Sequence, residues 1–188
     1  MTTLYGWAGR VLRVNLSTGA ITTEPTEAHT QIGPGGRGLG QWVLFREVSS
    51  NADPLGLENQ LSFSAGPLVG TLAPTAARLS IDTKNPQTGG IATTNVGGHF
   101  GPELKYAGFD SIIVEGQARD PVILVIADGE AELRAAGALW GRTNWETENA
   151  LKAELGDNRW RLASIGPAGE NLVHGACVTV DRGRAAGR

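Results

Sequence analysis

A chain of 188 residues with 40% hydrophobic content is long enough to bury a core of its own. Its charge is moderate and slightly acidic, net −3, without runs of like sign, which excludes a general nucleic-acid surface despite an arginine-rich end. No apolar run reaches bilayer length, the first residues lack the basic-then-apolar order of a signal peptide, and a single cysteine forms no intrachain disulfide; a soluble cytoplasmic protein with no membrane partner is expected.

In chain order, most apolar runs are short, β-branched and bounded by turn residues, the pattern of strands. Residues 11–16, the turn Ser17-Thr18-Gly19 and residues 21–23 predict a hairpin. Residues 38–48 follow as a helix with Leu39, Trp42, Val43 and Phe45 on a broad apolar face. Strands are predicted over 60–64, 78–83 and 111–115, with a short helix over 102–107 before the last of them. Residues 121–127 and 130–134 flank Asp128-Gly129, which suits the positive φ angles of a tight hairpin. Thr143 and Glu146 have the spacing of a capping box and open a helix over 143–155. Strands over 161–165 and 174–180 complete the chain, with residues 166–171 as a loop between them. There is no internal repeat and no Pro- or Ser-rich linker, so residues 1–188 form one α+β domain: β-rich, with two mainly antiparallel sheets and a few short helices.

Two segments are too polar and too rich in glycine to be core. Residues 82–101, DTKNPQTGGIATTNVGGHFG, contain two turns by composition, Pro86 to Gly90 and Asn95 to Gly98. They either connect strands or present glycine amides and Asn95 to an anionic, hydrogen-bonding cofactor. The last seven residues, Arg182-Gly183-Arg184-Ala185-Ala186-Gly187-Arg188, are either a basic tail or an anion site, since guanidinium forks match phosphate oxygens. Gly33 to Gly40 precedes a helix, but no parallel β-α-β unit or Walker lysine accompanies it, which argues against a nucleotide site. His29, His99 and His174 lack metal-ligand spacing; His99, beside Gly97 and Gly98, is the one in a plausible pocket. Cys177 has the surroundings of a small hydrophobe and cannot hold zinc or an iron–sulfur cluster alone. No catalytic constellation is visible.

Six phrases, in order, carry a resemblance. They are YGWAGRVLRVNL at 5–16, GGRGLG at 35–40, GPLVGT at 66–71, GPELKYAGFD at 101–110, IGPAGEN at 165–171 and RGRAAGR at 182–188. Together they resemble the N-terminal domain of the tungsten-dependent aldehyde:ferredoxin oxidoreductases, along essentially the whole chain. The resemblance implies a β-rich base of two sheets beneath a tungsten (or molybdenum) bis-pyranopterin. It implies an enzyme that oxidises aldehydes to carboxylic acids with ferredoxin as acceptor. Arg78, Asn95, Gly97, Arg184, Ala185, Gly187 and Arg188 are then the cofactor-binding residues. A magnesium ion bridging the pterin phosphates would take backbone carbonyls of Asn95 and Ala185. The family's 4Fe-4S cluster and its later helical domains have no counterpart here, so the isolated chain is expected to be catalytically silent. An alternative is a stand-alone module that forms a homo-oligomer or docks with a separate subunit carrying the other domains. Asn85 stands where the family commonly has serine, and Thr93-Thr94-Asn95-Val96 varies around the pterin-facing asparagine.

Overall fold

The computed structural model describes residues 5–30 and 33–187. Strands β1 (Arg10–Asn15) and β2 (Ala20–Pro25) form the first hairpin. Its turn is held by the Asn15 side chain, whose Oδ1 accepts from the amides of Ser17 and Thr18, each at 3.0 Å. A short helix, α1 (Glu27–Thr30), leads to α2 (Arg37–Glu47). Strands β3 (Gln60–Ala65), β4 (Leu79–Lys84) and β5 (Ile91–Val96) then form an antiparallel run. Helix α3 (Phe100–Tyr106) feeds β6 (Ser111–Glu115), which enters between β1 and β3. The resulting six-stranded sheet has the order β2-β1-β6-β3-β4-β5, and only β1 and β6 run parallel within it.

The remaining strands make two smaller sheets, where sequence had suggested one second sheet. One is the hairpin of β7 (Val122–Ala127) and β8 (Glu130–Ala135). After α4 (Asn144–Leu155), β9 (Ala163–Ser164), α5 (Pro167–Glu170), β10 (Val178–Val180) and β11 (Arg184–Ala186) complete the chain, with the three strands ordered β11-β10-β9. Residues 166–171, read as a loop, thus hold the single turn of α5, and the strands expected over 161–165 and 174–180 shrink to two and three residues.

The period of two along each strand divides the large sheet into two faces. Leu12, Val14, Leu79, Ile81, Val96 and Ile112 face one way and pack with Phe109, Val180 and Ala186, with the inner side chains of β7 and β8 against them. Val11 and Ile113 face the other way, under Leu39 and Val43 of α2. Phe45, expected on the buried face of that helix, is instead 73% exposed. At 100° per residue it falls far from Val43, and Leu44 takes the buried place while Phe45 stacks on Trp42 at 6.1 Å.

One end of the large sheet collects the glycine-rich phrases. The starts of β1, β4 and β6 and the ends of β3 and β5 all lie there. Fully buried Asp110 is its keystone: it accepts from the amides of Ala8 and Gly9 (2.8 Å each), Thr26 Oγ1 (2.6 Å) and Lys105 Nζ (2.5 Å). Lys105 also donates to the Gly6 carbonyl at 2.6 Å and lies 5.4 Å from the Trp7 ring. Trp7 lies against Gly35, where any Cβ would collide with the benzo edge of the indole. Gly36, the N-cap of α2, sits beside Gly66. Four phrases distant in sequence therefore interlock at this corner, for structural reasons that need no ligand.

Candidate functional site

Strand β5 is one of the two edge strands of the large sheet, and its backbone polarity follows from its hairpin. The Asn85 amide donates to the Gly90 carbonyl at 2.8 Å, and in an antiparallel ladder bonded pairs alternate with unbonded ones. Counting along the register, Ile81↔Thr94 and Leu79↔Val96 are bonded pairs, whereas Ser80↔Asn95 is not. The Lys84 amide, donated to Asn59 at 3.2 Å on the β3 side, agrees with this phase. The Asn95 carbonyl and amide therefore point outward from the sheet edge. Arg78 directly precedes β4 and continues the register to lie across from Gly97.

The side chain of Asn95 belongs to the α2 face, where Asp82 and Thr93 also lie. Thr93 Oγ1 donates to Asp82 Oδ1 at 2.5 Å, Ser80 donates to Asp82 Oδ2 at 2.9 Å, and Gln41 of α2 donates to Thr93 at 2.7 Å. Asp82 is completely buried, and burial raises its pKa against the opposing effect of those hydroxyls and of the positive field of Arg37. This network holds the polar edge strand in place where apolar packing does not.

The second segment comes from the turn between β10 and β11. Asp181, Arg182 and Gly183 take consecutive left-handed conformations, φ 45°, 60° and 98°. Two tethers fix this strained turn. The Arg182 amide donates to Glu148 Oε2 at 3.0 Å, with its guanidinium 3.3 Å from Oε1, and Lys152 pairs with the same carboxylate at 2.7 Å. Burial opposes ionisation of Glu148, but Lys152 and Arg182 outweigh it and leave the pKa below the usual carboxylate value. The other tether is the Asp181 carboxylate, whose Oδ2 accepts from the His99 amide. Gly98 makes that approach possible: its φ is 118°, and a Cβ there would overlap Asp181 Oδ2.

The two segments meet. Besides the bond between His99 and Asp181, Thr94 Oγ1 donates to the Gly187 carbonyl at 3.3 Å, and the Arg184 stem passes over Gly98. Asn95, Gly97, Arg184, Ala185 and Gly187 thus belong to one region, with Arg78 beside it; Arg188 lies outside the described residues. Arg78 and Arg184 are exposed, and among the described residues neither guanidinium group makes a hydrogen bond or ion pair. Free guanidinium groups and an outward carbonyl suit an anion accompanied by a hard cation, which is bound by oxygen ligands. No cluster of three or more His, Cys, Asp or Glu side chains able to hold a metal occurs among the described residues, so such a cation would draw on carbonyl and ligand oxygens. His99 takes part through its amide, not its exposed imidazole. His29 pairs with Glu24 at 2.9 Å, and His174 is exposed.

Asp181 and Glu148 escaped the sequence reading. The one signal for Asp181 was an acidic residue directly before an arginine-glycine run, a residue type that tolerates the left-handed turn.

Fold and site together define a β-rich α+β domain in which two glycine-rich segments, far apart in sequence, meet beside its large sheet. Residues 11–188 match the family model described as aldehyde ferredoxin oxidoreductase, N-terminal domain, and the chain belongs to that family. It is 52% identical to the tungsten-containing aldehyde ferredoxin oxidoreductase of Thermococcus kodakarensis over 98% of its own length and 31% of that enzyme's. It is 32% identical to the WOR-like subunit of the aliphatic sulfonate oxidoreductase of Pyrococcus furiosus, over 98% of its length and 32% of that protein's. Among solved structures it matches the active-site complex BamBC of benzoyl coenzyme A reductase in complex with 1,5-dienoyl-CoA, at TM-score 0.94 and 38% identity. That match covers 98% of this chain and 28% of the other. The chain spans about a third of the length of the curated relatives it matches. No helix among the described residues is long and apolar enough to cross a membrane.

Proposed function

We propose that this domain seats a tungsten (or molybdenum) bis-pyranopterin within a cytoplasmic oxidoreductase that converts aldehydes to carboxylic acids and passes electrons to ferredoxin. The observation that carries the reading is the meeting of residues 94–99 with residues 181–187, which brings the Arg184 stem against Gly98, while the register sets Arg78 across from Gly97. In this reading the arginines, Arg188 among them by the resemblance, take the pterin phosphates, and the Asn95 and Ala185 carbonyls hold a magnesium ion that accompanies them, with Gly97 and Gly187 leaving room for close approach. The metal and its dithiolenes supply the redox chemistry when bound. The chain's own work is to neutralise the phosphates, hold the cation and keep both segments in register.

The names of the relatives support this division. An aldehyde oxidoreductase, a sulfonate oxidoreductase subunit and a benzoyl coenzyme A reductase complex all contain this domain along nearly its whole length. What they share is then the cofactor seat, while substrate choice and the 4Fe-4S cluster belong to further polypeptide. Exposed Tyr5, Leu68, Leu72 and Tyr106, near the interlocked corner, supply apolar surface for such a neighbour, whether in one chain or in a separate subunit.

Replacing Arg78 or Arg184 by alanine should weaken binding of the phosphorylated pterin by about 1–3 kcal/mol each, the range for a charge-assisted hydrogen bond. Titration of the chain with isolated pyranopterin cofactor measures this; unchanged affinity in both variants would remove the arginines from the seat and the reading with them.

A further inference from the structure

We propose that Asp181 is the positioning residue of the cation site: through the His99 amide it locks the turn after β5 to the turn before β11, and so sets the spacing of the Asn95 and Ala185 carbonyls. This rests on the magnesium reading above. Three features of the structure carry it.

The bond between Asp181 and His99 joins residues 82 apart in sequence, at the point where each segment leaves its strand. Asn95 lies four residues before His99, and Ala185 four after Asp181. The bond joins the segments on the far side of the two backbone groups that must converge, beyond the second strap from Thr94 Oγ1 to the Gly187 carbonyl at 3.3 Å. Second, the turn at Asp181 is costly on its own terms. Three successive left-handed residues, two of them not glycine, persist only where surrounding contacts hold them. Glu148 holds Arg182 from behind, and Asp181 holds the front. Third, Asp181 Oδ1 is buried and has no hydrogen-bond partner among the described residues. A carboxylate oxygen out of water without a donor is expensive, and a cation that keeps part of its water shell brings donors of the right kind. An acidic group directly before Arg182, beside the same Gly98 that the Arg184 stem passes, would otherwise only weaken an anion seat. Its placement makes sense as the orienting partner behind a metal's first ligands.

The test uses the 188-residue chain, with Mn2+ as an oxygen-seeking probe for magnesium in the presence of inorganic phosphate, free Mn2+ being counted by its electron paramagnetic resonance signal. Two variants separate the possibilities. Asp181→Gly removes the carboxylate while easing the left-handed backbone, so it lowers affinity without burdening the fold; a loss of about 10- to 100-fold is expected, as for other orienting partners. Asp181→Asn keeps an acceptor for the His99 amide and tolerates the same φ, and it should lose only about fivefold because a neutral acceptor bonds more weakly. Thermal midpoints measured without ligand check that both variants fold. Equal affinity of Asp181→Gly and the unaltered chain would overturn the positioning role alone. A loss in Asp181→Asn as large as in Asp181→Gly would overturn it in favour of direct ligation by the charged oxygen. If the unaltered chain takes up no Mn2+ in a phosphate-dependent way, the magnesium reading itself falls, whatever the variants do.

Discussion

Asp110 offers the sharpest test of how this domain is held. The substitution Asp110→Asn changes the shape hardly at all, yet both carboxylate oxygens already accept two donors: Oδ1 from Ala8 and Lys105, Oδ2 from Gly9 and Thr26. Whichever way the amide is turned, its NH2 faces two donors, so one pair of bonds is lost and Lys105, 8% exposed, keeps its charge without a counter-ion. Breaking a buried ion pair by removing one partner costs about 3–5 kcal/mol. For a domain of this size that lowers the thermal midpoint by roughly 6–20 °C. Urea denaturation followed by tryptophan fluorescence suits the assay, since Trp7 lies in the affected corner. The second substitution Lys105→Met should recover part of the loss, because it removes the stranded charge. A stability within about 1 kcal/mol of the unaltered chain for Asp110→Asn would refute the keystone role.

Gly98→Ala forces a Cβ into the Asp181 carboxylate at a φ of 118°, and should cost about 1–3 kcal/mol of stability while weakening phosphate-dependent Mn2+ uptake; a neutral effect in denaturation would mean that the clasp is looser than described. Asp82→Asn should stabilise the chain at neutral pH, since burial raises the Asp82 pKa in the folded state and its ionisation there opposes folding. The sign follows: a raised folded pKa favours folding at low pH, so the advantage of the variant shrinks as pH falls through that raised value and is gone below the ordinary 3.8. Denaturation curves between neutral pH and that value check it, and a gap that widens on acidification would contradict the burial argument.

Much of this architecture was visible in local chemistry. The capping box formed as spaced, with the Thr143 amide donating to Glu146 at 2.9 Å and the Glu146 amide to Thr143 at 3.3 Å. Asp128 and Gly129 took the expected positive φ angles, 48° and 88°. Strand β5 was hidden because Ala-Thr-Thr-Asn carries no apolar alternation; its order comes from hydroxyls bonded to Asp82 and Gly187, partners whose positions only the assembled sheet defines. Strand β11 was hidden for a related reason, being three residues that read as a tail until β10 lies beside them. The resemblance named the two converging segments, but the link between them runs through a backbone amide and an acid, neither of which a pattern of residue types records. Phe45 illustrates the opposite failure, where a hydrophobic residue was assigned to the core by type and solvent claimed it by angle.

The insertion of β6 between β1 and β3 has a consequence for biogenesis. The strand that begins at Arg10 finds its parallel neighbour only after Ser111 has been made, and Asp110 arrives just before it. At about 5–20 residues per second, a ribosome needs roughly 5–20 seconds to supply that missing piece. During the interval Leu12 and Val14 have only their own hairpin for shelter, and β3 lacks one of its two neighbours. Nascent chains stalled before residue 110 should therefore recruit chaperones that later ones release. The polypeptide closes its sheet from the inside, late and in one stroke.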